Sequence, residues 1–234
     1  MRLDVYGSRS LLMNLLKLRS KLNIKLNEVY IGTTIDSQMK KEYKLERSIL
    51  NEIVSEYEVL ELMTDVEKRF RRFHDFSKSN ILIVDFIQEG KNLAKFSEGT
   101  FTVRPVLKRY GFNLENGKVL FNDKANNIER YVDRFLEYTE SYDLIVLSKM
   151  RTPKYLEGSS GEVELKPNFA EVNFLNYYAM TFEELLIEKS DKVRCLPDYT
   201  NINDLNENYM KKKSYNEFFE NELKKILNEH QFVN

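Results

Sequence analysis

Two uninterrupted apolar runs limit the fold more than anything else in the chain. Ser79-Asn80-Ile81-Leu82-Ile83-Val84-Asp85-Phe86 and Tyr142-Asp143-Leu144-Ile145-Val146-Leu147-Ser148-Lys149 show no polar alternation through their centres. A strand wetted on one side alternates, so such runs belong to parallel strands covered on both faces. A weaker third run, Lys192 to Asp198, follows a helical pattern over Phe174 to Lys189, and Asn127 to Tyr138 carries another before the second run. At the start, Leu3 and Val5 flank Asp4, Gly7-Ser8 supplies a turn, and Ser10 stands where an N-cap would open the apolar series Leu11, Leu12, Leu15, Leu16. Lys25 to Thr34 reads as a further strand closed by Gly32. This alternation predicts an α/β chain of three layers, α/β/α, around a mainly parallel sheet with right-handed crossovers. Strands starting near residues 2, 81 and 143 should be parallel and central.

A length of 234 residues suits one sizeable domain, here read as 1–234. Lys and Arg number 36 against 37 Asp and Glu, which gives no electrostatic reason to expect nucleic acid or an anionic membrane as partner. No signal peptide or membrane-length apolar run is visible, so a cytoplasmic location is expected. One cysteine, Cys195, and two histidines make a zinc site of Cys/His type implausible, and no cofactor or metal is expected. Cys195 reads as a buried strand residue. Glu42 to Val54 is patterned as an amphipathic helix, while Tyr57 to Met63 fits an edge strand or a helical turn equally. The basic run Lys68 to His74 interleaves aromatics with cations, but Val66, Phe70 and Phe73 share one helical face, which predicts a helix packed on the sheet with its charges outward. Tyr215, Phe218 and Phe219 predict a last helix packed on the core.

In parallel α/β sheets ligands sit beyond the carboxyl ends of the strands. The segments placed there are Gly7 to Ser10, Gly32 to Thr34, Asp85 to Glu89, Ser148 to Arg151 and Asp198 to Asn206. A turn running into a helix leaves backbone N–H groups facing one small volume, suited to an oxyanion, phosphate or carboxylate. A serine there is a nucleophile or a cap, and the cap is the commoner role.

A strand running into Gly7-Ser8, a central Ile81 to Glu89 stretch (Ile-Leu-Ile-Val-Asp-Phe-Ile-Gln-Glu), the Leu144 to Lys149 strand and a Tyr/Phe-rich last helix together resemble the SGNH/GDSL hydrolase-like proteins. More narrowly, they resemble a bacterial branch found with surface-polysaccharide biosynthesis, which opens on a Gly-Ser-Cys-x-Ser-Arg-Asp-like stretch and ends its central strand with Asp-Phe-Ile-Asp-Glu. The likeness spans about residues 3 to 220, with Gly7, Ser8, Asp85 and Glu89 on matching positions. It implies an SGNH/flavodoxin-like fold and a role on an acyl ester of a glycan or its precursor, as esterase or O-acyltransferase, with an acyl donor in the second case. Ser8 would be the nucleophile and Ser10 the alternate, with the N–H groups around Ser8 and Arg9 as oxyanion hole. Gly7, Arg9, Thr33, Asp85, Glu89, Lys149 and Arg151 would line the substrate.

The chain departs from that pattern in two places. Arg9 stands where the branch has a small nucleophile-like residue, and Asp204 to Tyr209 contains no histidine. His74 falls at the amino edge of the sheet, and His230 lies about 24 helical residues from the site, roughly 36 Å away. A base would then have to be a carboxylate, Asp204 or Glu207, with its pKa raised by about two units. The competing expectation is an accessory or binding subunit that keeps the fold without turnover, holding sugar or a partner protein through Asp85, Glu89, Lys149 and Arg151. A third reading, Gly7, Ser8 and Arg9 as a phosphate cradle for a nucleotide sugar or coenzyme A, lacks any Gly-x-Gly-x-x-Gly or P-loop pattern.

Overall fold

The computed structural model describes residues 1–42, 53, 55–73, 78–95, 99–103, 118–120, 124–157, 162–198 and 213–233. In chain order its first half holds β1 (Arg2–Gly7), α1 (Arg9–Leu18), β2 (Lys25–Ile31), α2 (Ile35–Gln38), α3 (Glu56–Val66), α4 (Arg69–Phe73) and β3 (Ile81–Val84). Then come β4 (Leu93–Lys95), β5 (Thr100–Thr102), β6 (Lys118–Leu120), α5 (Lys124–Tyr138), β7 (Leu144–Leu147), β8 (Tyr155–Glu157), β9 (Val163–Leu165), α6 (Phe169–Lys189), β10 (Val193–Cys195) and α7 (Lys213–Val233).

The main sheet has five strands in the order β10-β7-β3-β1-β2, every pair parallel. The three strands expected to be central are neighbours. From β1 the chain steps out to β2 on one side and then returns to β3, β7 and β10 on the other, so the order reverses between β1 and β3. That crevice is where doubly wound sheets hold ligands. β2 carries one residue more than β1 between the pairs Leu3–Leu26 and Val5–Val29. Asp4 absorbs the irregularity, since one of its oxygens accepts from the Asn27 amide at 3.0 Å and the Glu28 N–H at 2.9 Å. Its other oxygen accepts from the Tyr142 hydroxyl at 2.7 Å.

Alternation along the strands sorts their side chains into two cores. Tyr6, Leu82, Val84, Ile145 and Leu147 meet Phe70, Phe135 and Phe182 from α4, α5 and α6 on one face. Leu3, Val5, Ile81, Ile83 and Val146 meet Leu11 and Leu15 of α1 and Phe219 and Leu223 of α7 on the other. The layers are therefore helix, sheet, helix. Small antiparallel additions, β5-β4-β6 and the β8-β9 hairpin, were not anticipated from the sequence.

Three expectations need correction or fall outside the described residues. The residues 57–63, open between strand and helix, lie within α3. The single helix foreseen through Val66 and Phe70 is two: Lys68 adopts φ +54° between α3 and α4. That turn throws the Lys68 side chain inward, where it is fully buried and its Nζ donates to Ser37 Oγ at 2.8 Å and to the Thr100 carbonyl at 2.6 Å. Val66 and Phe70 are buried as foreseen. Most of the helix expected over 42–54, and all of 74 and 199–212 (His74, Asp204 and Glu207 among them), lie outside the described residues. Among the described residues no helix is long and apolar enough to cross a membrane.

Candidate functional site

The carboxyl edge of β1 and β3 brings Ser8 and Asp85 together. Gly7 ends β1 at φ +144°, and a Cβ there would lie 2.8 Å from the Asp85 carbonyl oxygen, so only glycine lets the two strand ends approach this closely. The next residue, Ser8, is the N-cap of α1, its Oγ accepting from the Leu11 N–H at 3.2 Å. This replaces the expected cap at Ser10, which sits half-buried in the first turn. The helix begins one residue after the glycine, and only a side chain at position 8 reaches the N–H three residues on.

Ser8 also gives both of its protons to one oxygen. Its hydroxyl donates to Asp85 Oδ2 at 2.6 Å and its N–H to the same atom at 3.1 Å, while Asp85 Oδ1 accepts from the Ile87 N–H at 3.2 Å. Asp85 is wholly buried, and that burial pushes its pKa up to about 6 although the Ser8 and Ile87 bonds and the Arg151 charge pull the other way. The Ser8 N–H, assigned to an oxyanion hole from the sequence, is therefore committed to a carboxylate. Ser8 itself is 3% exposed.

The other expected residues divide between buried braces and a solvent-facing rim. Glu89 accepts from the Tyr6 hydroxyl at 2.6 Å and the Ile35 N–H at 2.9 Å. Thr33 donates to Asp65 Oδ1 at 2.6 Å and accepts from Gln38 Nε2 at 2.7 Å. Asp65 in turn accepts from the Thr102 N–H at 2.6 Å and the Thr102 hydroxyl at 3.2 Å, joining β5 to the crevice. Glu89, Thr33, Asp65 and Thr102 are all buried, so this set braces the edge from within. At the rim Arg9 is exposed, with its guanidinium 4.8 Å from the centre of the Tyr57 ring. Lys149 lies 3.7 Å from Asp198. Arg151 forms a two-pronged pair with Glu183 of α6 at 2.7 and 2.6 Å. Burial raises the Glu183 pKa and Arg151 opposes the rise. Beside it, Thr152 and Asn176 exchange two hydrogen bonds at 2.8 and 3.0 Å, fixing the loop after β7 to α6.

His230 lines a cavity of about 420 Å³ with Asp143, Leu144, Asp191, Lys192 and Arg194, at the starts of β7 and β10. It is therefore at the sheet edge opposite Ser8, as the sequence spacing required. Cys195 is half-buried on β10, and burial pushes its thiol pKa up. Among the described residues no group of three or more His, Cys, Asp or Glu side chains is arranged to hold a metal ion.

Sequence reasoning missed Asp65, Thr102 and Glu183 as members of this edge, and it missed Asp85 as the direct partner of Ser8. The available signal was that Gly7-Ser8 and Asp85 both fall at the carboxyl ends of expected strands, which sets them on one edge without pairing them. Comparison with protein-family models, with characterised proteins and with solved structures finds no match to the chain.

Proposed function

We propose that the chain is an SGNH-hydrolase-like protein of bacterial surface-polysaccharide or cell-wall glycan biosynthesis, and that it binds a carbohydrate or glycan precursor at the Ser8 edge without turnover. The family reading rests on the Gly7-Ser8 and Asp85 to Glu89 stretches, and the parallel order with its reversal at β1 and β3 is compatible with it. The observation that carries the non-catalytic reading is the bonding of Ser8. Its hydroxyl proton and its N–H both go to Asp85 and its lone pair to Leu11, so nucleophile, oxyanion donor and helix cap are one buried clasp. Arg9, Lys149 and Arg151 keep part of their side chains in solvent at this edge, offering cations to carboxylate or hydroxyl groups of a glycan.

A second reading is favoured by one specific observation: Asp85, with a pKa near 6, lies 2.6 Å from the Ser8 hydroxyl. Such a carboxylate could take the Oγ proton as Ser8 attacks an acyl-ester carbonyl, then return it to the departing sugar hydroxyl, leaving an acyl-serine for water or a second sugar. That route requires the clasp to open, because Ser8 has almost no exposed surface.

Treatment with a fluorophosphonate probe and a chromogenic acetyl ester separates the two, with Ser8→Ala and Asp85→Asn alongside. We expect no labelling and background hydrolysis in all three proteins, with saturable binding of an acidic oligosaccharide that weakens in Lys149→Ala. Labelling of the native chain that disappears in Ser8→Ala would put the acyl-transfer reading first.

A further inference from the structure

Between the edge strand β2 and the α3–α4 turn lies a cavity of about 560 Å³, a size that suits a small molecule, and no residue of the Ser8 edge lines it. Glu28 and Tyr30 are alternate residues of β2, so their side chains leave the same side of the strand, the side on which Tyr6 and Phe70 pack. Glu67 and Arg69 close the cavity from the turn, and Leu60 of α3 adds apolar lining. The positive φ of Lys68 sends its ammonium inward to Ser37 and Thr100 and leaves its two neighbours facing the strand. Two polar groups here are unfinished. Tyr30 is 1% exposed and its hydroxyl has no hydrogen-bond partner, although buried phenols ordinarily find one. The Glu28 carboxylate makes neither hydrogen bond nor ion pair among the described residues. The two groups are close enough to act on each other: burial first, then the Asp4 and Glu28 charges, push the Tyr30 pKa up.

We propose that this cavity binds a small organic cation through an ammonium group, with Glu28 as its counter-ion and Tyr30 and Glu67 as its other acceptors. The first argument is the match of donors to acceptors. An ammonium carries three N–H donors and no acceptor. Facing it are the Glu28 carboxylate, the Tyr30 hydroxyl oxygen and Glu67 Oε1, since Glu67 Oε2 is taken by Arg69 Nε at 2.8 Å. The second argument is the sign of the charge. Arg69 is offset by Glu67, and α3 carries Glu56, Glu58 and Glu61 but no Lys or Arg. The buried Asp4 carboxylate adds to the field, raising the Glu28 pKa after burial itself, with Arg69 opposing. Of the other cations nearby, Lys25 lies three residues back along β2, about 10 Å, and Arg71 and Arg72 of α4 are bonded to Glu42. An anion would meet Glu28 unopposed. A bare metal ion fits less well than an organic cation, because the cavity is far larger than an ion and the described residues hold no group of three or more His, Cys, Asp or Glu arranged to ligate one. Leu60 gives an alkyl chain behind the ammonium something to pack against.

Titration of the full chain with n-pentylammonium, followed by backbone-amide NMR at neutral pH beside pentan-1-ol and pentanoate, tests this. The expected result is saturable shifts at Asn27 to Tyr30 and Glu67 to Arg69 with the amine alone. Glu28→Gln should weaken the binding roughly tenfold and Tyr30→Phe roughly threefold. Tyr30→Phe also separates a binding role from a structural one. A buried hydroxyl without an internal partner costs nothing to remove, so the thermal midpoint of this variant should equal or exceed that of the native chain. Pentanol or pentanoate matching the amine, no saturation by about 50 mM amine, or a Glu28→Gln variant that binds as the native chain does overturns the proposal. A Tyr30→Phe midpoint several degrees lower would mean that the hydroxyl is already bonded within the fold, and would overturn its place in the site.

Discussion

Two buried carboxylates tie the carboxyl edge of the sheet together, and they are maintained in opposite ways. Asp85 joins β3 to the β1-α1 turn using only neutral donors, the Ser8 hydroxyl and the Ser8 and Ile87 N–H groups. Glu183 joins α6 to the loop after β7 through a full cation, the Arg151 guanidinium. Burial raises both pKa values. The difference is where the missing solvation comes from. At Asp85 the proton is the cheapest countercharge, whereas at Glu183 the countercharge is covalently part of the chain.

The largest effect should come from removing that built-in countercharge. Arg151→Ala leaves Glu183 buried and unpaired and should lower unfolding free energy by about 3–5 kcal/mol. Arg151→Met with Glu183→Leu should recover most of the loss, both read from urea midpoints. A cost below about 1 kcal/mol for Arg151→Ala would erase the contrast.

Next comes the response to pH, which belongs to Asp85. Its pKa is raised in the folded state, so the stability it contributes is fully present below the ordinary carboxylate pKa near 4 and is lost as pH rises to about 6. A shift of about two units corresponds to something on the order of 3 kcal/mol over that window. Asp85→Asn should remove this component of the pH–stability curve, and an unchanged curve would contradict it.

Ser8→Ala should cost about 1–2 kcal/mol through the lost cap and the lost bond to Asp85. It should also move the Asp85 titration upward, visible by carboxyl-carbon NMR, because the Ser8 bonds hold that pKa down. The smallest effect is at the rim: Asp198→Asn, breaking a contact at 3.7 Å with an Asp198 side chain 63% exposed, should change stability by less than about 0.5 kcal/mol.

The sheet was legible because its signal is local. Ile81 to Val84 and Leu144 to Leu147 announce strands covered on both sides, and the helices between them leave few arrangements other than a parallel sheet. The candidate edge was legible as a set of strand ends but not as a set of bonds. Ser8 and Asp85 are 77 residues apart, and nothing in either neighbourhood tells which polar group the fold will set opposite the other. The same limit hid Lys68: an outward charge by helical spacing becomes an inward one when a single residue turns to positive φ. Ser10 lost its assigned role by a shift of two positions, since the turn and the cap were drawn from adjacent residues.

The hub position of β1 has a consequence for how the chain is made. β2 can pair with β1 as soon as residue 31 is available, but the opposite edge of β1 is completed only by β3, some 50 residues later in synthesis. At roughly 5–20 residues per second, that edge, with the backbone N–H and C=O groups of Asp4 to Tyr6 along it, waits several seconds for its partner. Parallel pairing over such sequence distances forms slowly. A nascent chain stalled between residues 31 and 81 should therefore engage chaperones strongly, and release should follow the emergence of β3 rather than the completion of any helix.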